Sequence, residues 1–252
     1  MARDGVLVAH HDEALDPDQT RVGGAWLNDI GGRIDALTYD ELQTFDVGST
    51  RPGSPAAGRF PRRQSCVGEK IPSLDAVMEL VAGGPQRLLV EVKTTPLDPP
   101  GAPTPDMIVA GIAAIGHRYD CIDQLKVIAF DWRALASARR IEPALATAHL
   151  VIPEGHPAHG QHGDAGGCLW NDGCDPRDHG GSVQAAIRAH GGTEWAPRFS
   201  EVSLAGVAAA RELGLACGAW GVTKAADAAT MKQLKVDSYT ASGPEWGRSP
   251  GS

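Results

Sequence analysis

The chain has 252 residues, 42% of them hydrophobic and 21% charged, and a net charge of −8. Its size allows one large domain over residues 1–252, as α/β barrels have, or two small ones, and its composition is ordinary for a globular protein. The acidic balance argues against a nucleic-acid or anionic-membrane partner, because binding phosphates needs a basic face. No run approaches the roughly 18 apolar residues of a transmembrane segment. Five cysteines do not make a disulfide framework.

Arg3-Asp4-Gly5 is a turn signal, and Val6-Leu7-Val8-Ala9 reads as a strand. It runs into a titratable cluster, His10-His11-Asp12-Glu13. Residues 13–72 read as a mostly irregular insertion, rich in Asp, Gly and Pro. Within it, Thr38 followed by Glu41 predicts a capped short helix. Arg59, Arg62 and Arg63 read as solvated charges.

From residue 72 the chain becomes regular. Ser73 caps a helix through Leu74, Val77, Met78 and Val81. Leu88-Leu89-Val90-Glu91-Val92-Lys93 reads as a buried strand between Gly83-Gly84-Pro85 and Pro96. Glu91 and Lys93 then point to one face. A carboxylate and an ammonium side by side at the end of a buried strand suit a hard cation and an anion. They also suit a plain strand-end ion pair.

Further on, Pro105 opens a helix. Strands follow at 125–130, 144–152, 194–196, 215–222 and 237–241. Helices lie between them at 132–141, 183–189, 203–213 and 225–234. Residues 153–180 form a Gly- and His-rich loop. This alternation implies parallel strands with right-handed crossovers. No Gly-x-Gly-x-x-Gly follows a strand, so a dinucleotide fold has no support. The pattern predicts an incomplete (β/α) TIM-type barrel of about six parallel strands. Chemistry in such a fold sits where strands end, and Glu91, Lys93, Asp131, Trp220 and Thr240 lie at such ends.

These residues carry a resemblance. Asp4-Gly5 through Asp16, Leu37 through Leu42, Ile71-Pro72-Ser73-Leu74, Val90-Glu91-Val92-Lys93, Phe130-Asp131 and Gly218-Ala219-Trp220-Gly221-Val222 follow in order. Together they resemble the glycerophosphodiester phosphodiesterase family. The resemblance implies hydrolysis of a glycerophosphodiester to glycerol 3-phosphate and an alcohol, assisted by one divalent cation, Ca²⁺ or Mg²⁺. It implies that His11 is an acid–base catalyst, Glu91 a metal ligand, Lys93 a phosphate contact and Trp220 an aromatic wall.

The chain departs from the family pattern in places. The His-Arg-Gly, Glu-Asn-Thr and Glu-x-Asp segments that open the family do not precede Asp4. The first two strand units are therefore expected to be absent, with Met1 an internal methionine and the activity weak or lost. Lys224 and Thr240-Ala241 depart as well. The rival expectations are a non-catalytic partial-barrel remnant or binding module, and a metal-binding protein using His156, His159, His162, Cys168, Cys174 and His179, whose spacings match no common zinc motif. The compartment is left open between cytoplasmic and exported.

Overall fold

The computed structural model describes residues 1–155, 161–162 and 169–242. In chain order the elements are β1 (Arg21–Val22), β2 (Ala25–Trp26), α1 (Tyr39–Leu42), β3 (Phe45–Asp46), α2 (Pro55–Arg59) and α3 (Leu74–Val81). Then come β4 (Leu88–Glu91), α4 (Pro105–Arg118), β5 (Leu125–Ala129), α5 (Trp132–Ile141), β6 (Ala146–Val151), α6 (Val183–Ala189), β7 (Glu194–Pro197), α7 (Leu204–Glu212), β8 (Ala216–Cys217) and α8 (Ala225–Gln233). The chain divides into two compact units. The first comprises residues 1–86 and 99–122, the second 87–98 and 123–252.

In the first unit, Gly5 at φ +87° closes a turn in which Ala2 N donates to Val6 O at 2.8 Å. The expected strand at Val6–Ala9 is reduced to one antiparallel bridge, Val8 to Ser73. The segment read as irregular holds more structure than expected. Gly23 and Gly24, both at positive φ, turn β1 into β2, and β1 also pairs antiparallel with β3. Two glycines at positive φ suit the tight turn of a twisted hairpin. Ser54 accepts from Ala57 N and Pro55 takes the first position of α2, so that helix has a proper start. The expected helix at Thr38 is present with its full capping box. Leu15, Ile34, Leu42 and Ile71 form the core here.

Residues 61–70 of this unit are exposed throughout. They are held at Cys66 N to Gly48 O, 2.6 Å, and Val47 N to Glu69 O, 2.9 Å. A Cβ on Gly48 would lie 1.8 Å from Cys66 O and 2.7 Å from Glu69 Cβ. Backbone cannot yield as a side-chain tip can, so Gly48→Ala should cost about 3 kcal/mol. A shift in the urea midpoint below about 0.5 kcal/mol would show that the arm moves away freely.

The second unit is built on a parallel sheet in the order β4-β5-β6-β7-β8. Strand order follows chain order without reversal, as in a singly wound barrel rather than a doubly wound sheet. Among the described residues the sheet stays open. The expected last strand at 237–241 contributes one parallel bridge, Val222 to Ala241. It also gives ladder-like bonds from Ala219 N to Ser238 O and Thr240 N to Ala219 O.

The two faces of the sheet differ. On one, Ile128, Ala148, Leu150 and Ala196 cluster with Phe130 and Trp220. Lower on the same strands, Lys126 Nζ meets Glu194 Oε2 at 2.5 Å, and Ser238 donates to Glu194 Oε1 at 3.1 Å. Gly218 makes room for that carboxylate: a Cβ there would stand 2.7 Å from Oε1.

The other face of β6 carries His149, fully buried. Its Nε2 lies 3.0 Å from His190 Nδ1, and His190 Nε2 lies 3.4 Å from Asp172 Oδ2. Asp172 can only accept while ionised, so His190 Nε2 carries hydrogen and Nδ1 accepts from His149. Arg139 donates to His190 O at 2.6 Å, and the buried Trp132 ring packs on both imidazoles. Burial pushes both histidines below their ordinary pKa, His149 well below it, and the Arg139 guanidinium adds to the effect.

Candidate functional site

Glu91 ends β4, and Lys93 follows two residues later on the same face. Glu91 pairs in register with Ile128 of β5, so both border the face that carries Phe130 and Trp220. Lys93 Nζ stands 2.8 Å from Glu91 Oε1, an ion pair about three-quarters removed from solvent on the carboxylate side.

The segment after Lys93 is clasped from behind. Thr94 Oγ1 donates to Asp131 Oδ2 at 2.8 Å. Arg133 forks onto the same carboxylate at 2.9 and 2.6 Å, and its backbone N bonds Oδ1 as the cap of α5. Asp131 is fully buried and raises the pKa of Arg133 by that hydrogen bonding. This strand-end aspartate therefore serves as a cap and a clasp.

Across the sheet, the Trp220 ring meets Phe130 edge-on, with centroids 5.3 Å apart. Trp220 Nε1 donates to Val151 O at 3.1 Å. Leu150 and Ala196 complete an apolar wall beside the Glu91–Lys93 pair. A negative group entering near Lys93 would meet an ammonium, and its carbon-bearing part would meet aromatic and aliphatic carbon.

His11 belongs to the first unit. Its side chain is 78% exposed, and Nδ1 lies 2.8 Å from Asp12 Oδ1. In the tautomer whose Nδ1 hydrogen points at that carboxylate, Nε2 is the accepting nitrogen of the ring. Its neighbour His10 is half-buried, and burial lowers its pKa.

The donor chemistry for a divalent cation is thin. Glu91 offers the hard oxygen a cation of this kind takes, but Lys93 already neutralises it. Among the described residues, no three of His, Cys, Asp and Glu group so as to hold a metal ion. These residues do not by themselves fit a cation site. The described residues of the His/Cys loop form no such group either. His162 Nε2 lies 2.7 Å from Ile152 O, and His179 lies 3.6 Å from Cys174 Sγ. His156, His159 and Cys168 lie outside the described residues.

One residue of this region escaped sequence reasoning. Gln161 is fully buried, and its amide bonds the ends of both β5 and β6. It sits in a Gly- and His-rich stretch with no period, where only a cluster of strand-end carbonyls needing a donor could have announced it.

The sequence matches the Glycerophosphoryl diester phosphodiesterase family over residues 1–241. A solved structure described as a glycerophosphoryl diester phosphodiesterase from Silicibacter pomeroyi is 29% identical, with a TM-score of 0.82, and the match covers 98% of this chain and 78% of that one. One from Agrobacterium tumefaciens is 20% identical, with a TM-score of 0.66 over 97% and 79%. A phosphodiesterase from Oleispira antarctica, in complex with the product sn-glycerol-3-phosphate, is 17% identical, with a TM-score of 0.63 over 96% and 77%. The latter two share the fold. No curated protein matches the chain. No helix among the described residues is long and apolar enough to cross a membrane.

Proposed function

Because the chain belongs to the glycerophosphoryl diester phosphodiesterase family, we propose that it hydrolyses a glycerophosphodiester to glycerol 3-phosphate and an alcohol. The observation that carries this reading is the Glu91–Lys93 pair beside the Phe130–Trp220 wall, on one face at the strand ends. Lys93 would leave Glu91 to meet the phosphate oxygens, and Trp220 would line the pocket. Water adds at phosphorus and gives up a proton to solvent, the bond to the alcohol oxygen breaks, and that oxygen takes up a proton; the family likeness gives the donor's role to His11, which stands beside Asp12 in the first unit. The product bound to the Oleispira relative is of the same class.

The family likeness implies a divalent cation, for which the described residues form no site. Ca²⁺ takes six to eight oxygens, and Glu91 is the one matched carboxylate. Turnover should therefore be slow. The ion pairing of Glu91 favours a second reading, a module that binds the diester without turning it over.

The test is release of glycerol 3-phosphate from glycerophosphocholine, with Ca²⁺ or Mg²⁺ and with EDTA. Slow release that drops by a further 10²-fold or so in His11→Ala, and is also lost in Glu91→Ala, is the expected result. Release indifferent to both substitutions would remove these residues from the site. Calorimetric binding of glycerophosphocholine without any release would favour the binding module.

A further inference from the structure

Parallel strands that spread at their ends leave carbonyls without a ladder partner, and a buried carbonyl left so is costly. The ends of β5 and β6 have such groups, and one side chain answers them. Gln161 Nε2 donates to Phe130 O at 2.8 Å and to Leu150 O at 3.1 Å. Its Oε1 accepts from Ile152 N at 2.8 Å. Both amide hydrogens and the amide oxygen are in use, with no exposure to water. Asn171, also fully buried, donates to Gln161 O at 2.9 Å and so holds the glutamine's own backbone.

What this amide holds is the frame of the aromatic wall. Phe130 is one of its acceptors. The other two groups, on Leu150 and Ile152, flank Val151, whose carbonyl takes the Trp220 indole N–H. One side chain thus bonds the Phe130 carbonyl and both neighbours of the carbonyl that anchors the Trp220 ring, which meets Phe130 edge-on.

We propose that Gln161 is a positioning residue that sets the geometry of the Phe130–Trp220 wall, and through it how tightly the site takes the alcohol part of its substrate. The inference rests on the proposed hydrolysis for its kinetic half. Its structural half stands apart. A polar contact network of this kind acts on ring placement, so its loss should appear in binding of the group that touches the rings rather than in the chemistry at phosphorus.

Fluorotryptophan-labelled protein gives a fluorine resonance for Trp220, assigned by its loss in Trp220→Phe. In Gln161→Leu, which keeps the bulk and removes the amide, that resonance should shift or broaden while those of Trp26 and Trp195 stay. KM for glycerophosphocholine should rise about tenfold. KM for the methyl ester of glycerol phosphate should change much less, and kcat should stay within about threefold.

A Trp220 resonance identical to that of the native chain would overturn the proposal. So would equal loss of kcat on both esters with KM unchanged. If Gln161→Leu does not fold, Asn171→Ala, which frees the glutamine backbone, carries the same two readouts. If the native chain releases no glycerol 3-phosphate, the reading of its function fails, and the fluorine spectra still decide whether Gln161 holds Trp220.

Discussion

Below pH 6.5 the protein should lose stability faster than a His149→Phe/His190→Gln variant, by at most about 2.7 kcal/mol per pH unit while both imidazoles stay neutral. Both histidines are held neutral in the fold, their pKa values pushed down chiefly by burial. In the unfolded chain they take up protons near pH 6.5. Stability is therefore complete above that value. It falls as the pH drops through it, because the unfolded state then binds protons more readily than the folded state, until the pH reaches the lowered pKa values of the fold. Each proton contributes about 1.4 kcal/mol per pH unit. The groups facing the pair fit this direction. Arg139 opposes a second positive charge, and His149 and His190 would repel one another if both were charged. Asp172, 41% exposed, offsets only part of that. The measurement is the urea midpoint between pH 7.5 and 4.5 for both proteins. Parallel curves would mean that the imidazoles are solvated in the folded state.

Lys126→Met should destabilise the protein by about 3 kcal/mol, whereas Lys126→Met with Glu194→Met should sit within about 1 kcal/mol of the native chain. The Glu194 side chain is 10% exposed and the Lys126 side chain 28%. Removing the lysine leaves a nearly buried carboxylate with the Ser238 hydroxyl as its remaining donor. Removing both takes away the cost of desolvating two charges along with their attraction. Additive losses in the double variant would show that each side chain acts through packing alone.

The parts that could be read from sequence were those fixed by local chemistry. The helices α5 and α6 fall where Asp131 and Ser182 cap them and where His190-Gly191 ends the second. The shared face of Glu91 and Lys93 follows from the two-residue strand period. The hairpin of β1 and β2 leaves little trace in the sequence because two-residue strands carry no period, although Gly23-Gly24 is itself a turn signal. Pro55 after Ser54 lies in a Pro- and Gly-rich stretch that reads as loop, whereas in the structure it opens α2. Gln161 was invisible for a deeper reason: its partners are backbone atoms, which have no residue identity to read. The His149–His190 pair joins a strand to the end of a distant helix, and nothing in either local sequence announces the other.

The order of the parallel sheet bears on how it comes to exist. Each strand pairs with the next along the chain, so the second unit can be added to as it leaves the ribosome, one crossover at a time. The steps are unequal. Lys126 finds Ala146 across α5, a compact connection, but His149 finds Trp195 only after the long Gly- and His-rich stretch. Loop closure slows with such separations. Pairing of β7 with β6 spans the widest sequence gap in the sheet. Until it happens, β6 is a nascent edge with Leu150 and Val151 bare, which is where a chaperone would be needed.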